Sequence, residues 1–232
     1  MKYIPFIGVL FLAVVATTQA NTPLTGHKIG LDAGHGNGET GAVGYCGKTA
    51  VPEYLVNEAV RSELTTLIED AGGIVHPIEQ LSTRKARVEN AETYGSEVLI
   101  SIHHNGSSNT SADYTQSFVT QKNDRDLAKE IHPLIASAIG VGDKGIKNDG
   151  YGMTVYGSLP GVLTESYFIT NKDAACDFID YQNGVLDTRV HKEAQAMFDG
   201  LMNYFDASGG NDGGDTSDGG NCSPGKQRQG KC

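Results

Sequence analysis

The sequence predicts a single α/β domain built on a mostly parallel, twisted sheet of about six strands, with helices on both faces. Two observations predict this fold. Short apolar segments alternate along the chain with longer segments whose apolar residues recur at helical spacing. One apolar segment, residues 98–102, is almost free of polar side chains, which is typical of a parallel strand buried on both faces. The chain of 232 residues is long enough for one domain with a sizeable core.

The predicted elements follow these patterns along the chain. Strands are predicted over residues 27–31, 74–78, 98–102, 114–120, 153–156 and 162–169. Helices are predicted over residues 53–71, 82–94 and 123–139, near Asn171 and after Gly184. Pro77 has no backbone N–H, so its strand is expected to lie at a sheet edge or to end early. Ser82 is expected to be the N-cap of the second helix.

Both ends of the chain differ in composition from the folded domain, which is predicted over residues 21–206. Residues 1–20 combine a positive Lys2, an apolar run and small residues before Ala20, which indicates a signal peptide. The alternative is a membrane anchor, but the run is shorter than the ~20 residues needed to span a bilayer. Residues 207–221 are expected to be a flexible Gly/Asp/Ser linker, and residues 222–232 a short basic tail bounded by cysteines. We therefore expect an exported protein, periplasmic or secreted, with no membrane contact after cleavage.

Charge and cysteine content narrow the partners and the compartment. The formal net charge is −10, so a general attraction to nucleic acid is not expected. Four cysteines in an exported chain favour disulfides, and four cysteines allow three connectivities. We favour the short loop between Cys222 and Cys232, which leaves Cys46 to pair with Cys176. A zinc site built from all four is the alternative, but the chain has no C-x-x-C spacing.

Four side chains carry the candidate chemistry. His35 and His103 each follow a predicted strand, and ligands bind beyond the carboxyl ends of parallel strands. Glu53 opens a helix, where a carboxylate either complements the helix dipole or completes a site of two histidines and one glutamate. Glu165 lies in an apolar strand, where a carboxylate is costly unless it is paired or functional. It is therefore a candidate general base.

Five motifs in order resemble those of one enzyme family. They are IGLDAGHG at residues 29–36, GAVG at 41–44 before Glu53, RVENA at 87–91, SIHHN at 101–105 and LPGVLTESYFITN at 159–171. Over nearly all of the folded domain, the chain resembles the zinc-dependent N-acetylmuramoyl-L-alanine amidases of the Amidase_3 type. Each motif alone is weak evidence, but five in the family's order are specific.

The resemblance implies a function and a role for each candidate residue. It implies hydrolysis of the amide bond between N-acetylmuramic acid and L-alanine in bacterial peptidoglycan. One Zn²⁺ per chain would be held by His35, Glu53 and His103, with Glu165 as the catalytic base. The chain departs from the family at His104, where a small residue is usual. Because successive strand side chains point to opposite faces, only one of the two adjacent histidines should reach the site, and the motif assigns His103.

Asn105 is expected to line the substrate groove or to orient His103. Two other functions stay open, namely a zinc peptidase that cuts peptidoglycan stem peptides and a non-catalytic wall-binding module. Retention of all four candidate residues argues against the second. Some family members carry a helix that plugs the groove until a partner removes it, but residues 107–165 show one clear helix, suited to packing on the sheet. We therefore expect a monomer that needs no activator.

Overall fold

The computed structural model describes residues 21–209 with the exception of 149 and 151. The predicted signal peptide, most of the predicted linker, and the tail with Cys222 and Cys232 lie outside the described residues. Among the residues described, no helix is both long enough and apolar enough to cross a membrane. The last helix continues to Gly209, into the start of the predicted linker.

Eight strands and five α-helices make up the described chain. In order they are β1 (Lys28–Ala33), β2 (Val43–Cys46), β3 (Thr49–Pro52), α1 (Glu53–Asp70), β4 (Ile74–Pro77), α2 (Arg84–Tyr94), β5 (Val98–Asn105), β6 (Tyr114–Val119), α3 (Asp124–Ile139), β7 (Gly142–Asn148), a 3₁₀-helix (Gly152–Val155), β8 (Gly161–Phe168), α4 (Lys172–Gln182) and α5 (Arg189–Gly209).

Six of these strands form one sheet in the order β4-β1-β5-β8-β6-β7. All neighbouring pairs are parallel except β6 with β8. The predicted single α/β domain with a mostly parallel sheet is therefore confirmed. Strand β4 with Pro77 lies at one edge, where the missing N–H interrupts no ladder.

The two faces of the sheet are covered by different helices. The larger apolar cluster joins one face to α1, α3 and α5, and we call this the α5 face. A smaller cluster joins the opposite face to α2 through Val88, Ala91, Leu99 and Met153, and we call this the α2 face. Strand β8 is buried along its whole length, as expected for a central strand.

Two predictions about individual elements are wrong, and one strand of the sheet was not predicted. Residues 153–156 were predicted as a strand but lie mostly in the 3₁₀-helix Gly152–Val155. The sixth strand is instead β7, an exposed and partly charged edge strand without an apolar pattern. The N-cap of α2 is Thr83 rather than Ser82, since Thr83 Oγ1 accepts a hydrogen bond from the Ala86 N–H at 3.1 Å.

A hairpin that the apolar pattern did not predict precedes α1. Strands β2 and β3 pair antiparallel, and a disulfide between Cys46 of β2 and Cys176 of α4 joins the hairpin to the rest of the domain. The expected pairing of Cys46 with Cys176 is thereby confirmed. The hairpin leads directly into Glu53, the first residue of α1.

Candidate metal centre

Three neighbouring parallel strands bring candidate residues together at the C-terminal end of the sheet. Strands β1, β5 and β8 are adjacent. His35 lies just beyond the end of β1, and His103 and Glu165 lie in the C-terminal halves of β5 and β8. His103 and Glu165 are direct partners in the register of β5 with β8. The N-terminus of α1 brings Glu53 to the same end, so all four candidates meet where an open parallel sheet binds ligands.

His35, Glu53 and His103 form a compact cluster. Each offers one ligand atom, and these atoms lie within 4.8 Å of one another. The two oxygens of Glu53 divide between the histidines: Oε2 is 3.2 Å from His35 Nε2 and Oε1 is 3.1 Å from His103 Nδ1. His35 has a φ of 63°, a conformation uncommon for a residue with a side chain and often found at functional sites.

The Glu53 carboxylate is buried and held from several sides. The Ala42 N–H donates to Oε2 at 2.9 Å, and the His104 N–H donates to Oε1 at 3.1 Å. Burial alone would raise its pKa, but the hydrogen bonds and charges of His103 and His35 outweigh burial and hold the pKa of Glu53 well below its usual range. Two imidazoles and one ionised carboxylate are a donor set that could hold a metal ion.

Two glycines enclose this cluster so closely that a side chain would not fit. A Cβ on Gly34 would lie 2.2 Å from Cε1 of the His103 ring, and a Cβ on Gly41 would lie 2.4 Å from Oε2 of Glu53. The backbone therefore packs directly against two of the three candidate ligands. Their positions are fixed from behind, as a site of defined coordination geometry requires.

Glu165 is buried beside the cluster, with only 8% of its surface exposed. Its Oε2 is buried and makes no hydrogen bond to any described residue. Burial raises the pKa of Glu165 to about 7; the charge of His103 opposes this rise, whereas the charges of Glu53 and Glu193 add to it. The residue lines a cavity of about 460 Å³ together with the three clustered residues. Such a carboxyl is poised to exchange a proton near neutral pH.

His104 and Asn105 take different places from each other. His104 is 1% exposed and points to the α5 face, where its ring bonds Asn57 at 2.7 Å and Glu193 at 2.8 Å. Asn105 lies in the cavity wall, and its side-chain oxygen accepts a hydrogen bond from the Gly106 N–H at 2.8 Å. The structure therefore brings His103, not His104, to the cluster.

A buried ion pair supports the loop that carries His35. Arg87 donates to Asp32 Oδ1 at 2.8 Å and to the carbonyl of His35 at 2.7 Å. Asp32 in turn accepts from the Ser101 hydroxyl at 2.7 Å. These residues belong to the motifs noted in the sequence, but their supporting role was not predicted.

Sequence reasoning also missed Asn57 and Glu193, the partners of His104. Asn57 follows Glu53 by one helical turn, and its side chain donates to the Gly34 carbonyl at 2.9 Å. Glu193 is fully buried on α5. It lies on the apolar stripe of that helix, so the reasoning that singled out Glu165 would also have found Glu193.

Comparison with known proteins places the chain in a family. The family model described as N-acetylmuramoyl-L-alanine amidase, Amidase_3, matches residues 29–183. The chain is 30% identical over 207 residues to the protein YqiI of Bacillus subtilis strain 168, covering 85% of this chain and 94% of that one. It is 29% identical over 198 residues to N-acetylmuramoyl-L-alanine amidase LytC of the same strain, covering 81% of this chain but only 37% of LytC.

Solved structures have the same fold. The catalytic domain of CwlV, an N-acetylmuramoyl-L-alanine amidase from Bacillus (Paenibacillus) polymyxa var. colistinus, matches with a TM-score of 0.68 and 26% identity, over 78% of this chain and 98% of that one. AmiC2 of Nostoc punctiforme matches with a TM-score of 0.68 and 20% identity, over 78% of this chain and 99% of that one, which is evidence for the fold alone. Since the family model covers more than half of the sequence, this chain belongs to the Amidase_3 family of N-acetylmuramoyl-L-alanine amidases.

Proposed function

We propose that the chain is a zinc-dependent hydrolase that cuts the amide bond between N-acetylmuramic acid and L-alanine in peptidoglycan. One Zn²⁺ is held by His35, Glu53 and His103, and Glu165 is the catalytic base. The observation that carries this proposal is the Oε2 of Glu165, which has no hydrogen-bond partner among the described residues and is buried in the wall of the cavity that also holds the three-residue cluster. The names of LytC and of the CwlV domain support the choice of bond.

The donor set of the cluster fits zinc. Two imidazoles and one carboxylate are ligands that Zn²⁺ takes in hydrolases with one open position. When bound, Zn²⁺ supplies a Lewis acid that acidifies water and polarises a carbonyl group. Glu53, shared between the two histidines, keeps both rings directed toward one point.

Glu165 provides the proton transfers of the reaction. Its free Oε2 accepts a proton as water attacks the amide carbonyl, and it returns that proton to the nitrogen of the departing L-alanine. Burial favours the neutral acid, so the carboxyl both takes up and releases a proton near neutral pH. Asn105, in the cavity wall, is proposed to contact the substrate.

The site is proposed to work outside the cytoplasm, on the wall polymer, as a monomer that needs no activator. Between residues 107 and 165, the described part of the chain has one α-helix, α3. That helix buries Leu127, Ile131 and Ile135 in the core of the α5 face. An assay of the purified chain on wall sacculi tests this point, because activity that appears only with an added partner would contradict it.

The decisive test pairs Glu165→Gln with Glu69→Gln, a matched change at an exposed position of α1. We expect Glu165→Gln to lower turnover of purified peptidoglycan by roughly 10²–10⁴-fold, the usual worth of a general base, while zinc content is unchanged. Glu69→Gln should behave as wild type. Near-wild-type turnover by Glu165→Gln would exclude Glu165 as the base.

Mass spectrometry of the digest identifies the bond. Amidase activity leaves free lactyl groups on the glycan and peptides that begin with L-alanine. Cleavage within the stem peptide would instead identify a peptidase with the same metal chemistry. No product in the presence of bound zinc would indicate a non-catalytic wall-binding module.

A further inference from the structure

A network of buried, hydrogen-bonded side chains lies behind the candidate metal centre, on the α5 face of the sheet. Its side chains belong to Asn57 of α1, His104 of β5, Ser166 of β8 and Glu193 of α5. Asn57 bonds His104 at 2.7 Å, His104 bonds Glu193 at 2.8 Å, and the Ser166 hydroxyl donates to Glu193 at 2.6 Å. All four residues are buried. We call them the rear network.

Each member of the rear network in α1, β5 and β8 is a close neighbour of a residue of the proposed site. His104 follows His103, Ser166 follows Glu165, and Asn57 lies one turn after Glu53. Because strand side chains alternate between faces, a residue adjacent to a functional one projects to the opposite side of the sheet. The rear network therefore fixes the same strand ends from behind.

Two contacts connect the rear network to the Glu53 carboxylate itself. The register of β5 against β8 shifts between His103 and Asn105, and at this irregularity the His104 N–H donates to Glu53 Oε1 at 3.1 Å. The Asn57 amide nitrogen makes a longer contact with the same oxygen, 3.4 Å, and donates to the Gly34 carbonyl at 2.9 Å. Asn57 thus joins Glu53 to the loop that bears His35.

The orientation of these groups is mutually determined. Since the Asn57 nitrogen faces two acceptors, its oxygen faces His104 Nδ1 and accepts a hydrogen bond. Glu193 Oε2 lies 2.8 Å from the other ring nitrogen, so both nitrogens of His104 have a hydrogen-bond partner. Both side chains are fully buried, where a polar group left without a hydrogen-bond partner is destabilising.

We propose that Asn57, His104 and Glu193 are positioning residues that hold the Glu53 carboxylate in place for the metal, with the His104–Glu193 pair anchoring this arrangement to α5. The inference rests on the proposed zinc site. Groups that orient a metal ligand through hydrogen bonds typically contribute about 10–100-fold to metal affinity.

The variant His104→Gln tests the inference. The Zn²⁺ affinity of the full chain is measured by competition with a chromophoric chelator. The matched control is His132→Gln. His132 is also buried, and its two ring nitrogens bond Ser117 at 2.9 Å and Asp143 at 2.9 Å, away from the proposed site. We expect His104→Gln to weaken Zn²⁺ binding about 10–100-fold and His132→Gln to leave it unchanged. Thermal unfolding of the metal-free proteins should show a loss of stability in both.

A double variant separates positioning from simple stability. In His104→Ala/Glu193→Ala neither partner is left buried and unpaired, so its stability should recover relative to Glu193→Ala alone. Its Zn²⁺ affinity should stay low, because Asn57 remains unanchored. Two results would overturn the positioning role and leave the proposed function standing. One is that the double variant recovers Zn²⁺ affinity together with stability, and the other is that His104→Gln binds Zn²⁺ with unchanged affinity. A wild-type chain that binds no Zn²⁺ would overturn the proposed function as well.

Discussion

Gly34 offers a direct test of the proposed metal site, because the substitution Gly34→Ala adds one methyl group behind a proposed ligand. The new Cβ would lie 2.2, 2.3 and 2.5 Å from three atoms of the His103 ring. Contacts under 3.0 Å force a shift, and here the neighbour is the His103 ring, which lines the cavity and is 16% exposed. Gly34 does not have a positive φ, so the effect is one of packing and not of backbone strain.

The size of the effect follows from the displacement. The His103 ring must move back by roughly 1 Å. A misplacement of that size at a reacting centre lowers the reaction rate about 100-fold. Zinc ligands hold their distances within about 0.2 Å, so the ring cannot both clear the methyl group and keep its place. We expect Zn²⁺ affinity to fall by about 10–100-fold, the usual result when the support of a ligand is disturbed. Overpacking should also cost about 1–3 kcal/mol of stability.

The assay compares Gly34→Ala with Gly161→Ala by chelator competition and by thermal unfolding. A Cβ on Gly161 meets its nearest atom at 3.6 Å, an ordinary contact, although Gly161 is also buried at a sheet strand. Gly161→Ala should therefore bind Zn²⁺ as wild type does. If Gly34→Ala bound Zn²⁺ with unchanged affinity while folded, His103 would not be a ligand in the observed position.

Two further predictions concern stability. Because the pKa of Glu165 rises from 4.5 to about 7 on folding, folding of the metal-free chain takes up a proton, and stability is lost as pH rises through that range. Glu165→Gln should therefore be more stable than wild type at pH 8 by up to about 3 kcal/mol and lose this advantage by pH 4, in thermal unfolding with chelator, whereas an equal advantage at both values would refute the assignment. The Cys46–Cys176 disulfide closes a loop with a sequence separation of 130. Replacing both cysteines by serine should cost up to about 5 kcal/mol by loop entropy, in denaturant unfolding, and an unchanged midpoint would contradict this.

The apolar periodicity of the sequence was enough to predict most of the fold. Helices α1, α3 and α5 and strands β5 and β8 bury continuous apolar stripes, so the pattern in the sequence reflects the packing. Strand β7 was missed because it is an exposed edge strand with no apolar face to reveal it. The segment near Met153 was misassigned because it forms a single 3₁₀ turn in which Met153 packs into the core while Val155 and Tyr156 are exposed.

The residues of the candidate site could be predicted where their neighbours in the sequence distinguish them. His35 and His103 stand at strand ends, and Glu165 is an acid in an apolar strand. The pair of His104 with Glu193 joins residues 89 positions apart, and only packing of α5 on the sheet brings them together. The position of Glu193 on the apolar stripe of α5 was enough to predict that it is buried. The sequence did not indicate that His104 is its partner.

The two acidic residues of the proposed site lie near each other, yet their surroundings change their proton affinity in opposite directions. Glu53 lies between His35 and His103, whose hydrogen bonds hold its pKa below the usual range. Glu165 Oε2 has no hydrogen-bond partner in the described part of the chain, and burial raises the pKa of Glu165 to about 7. Two carboxyl groups whose pKa values differ in this way take different roles, one as a permanent anion and one as a group that accepts and donates a proton. The rear network contacts Glu53 by hydrogen bonds and acts on Glu165 only through the charge of Glu193. Substitution of its member His104 should therefore change metal affinity, whereas Glu165→Gln should change turnover with zinc in place.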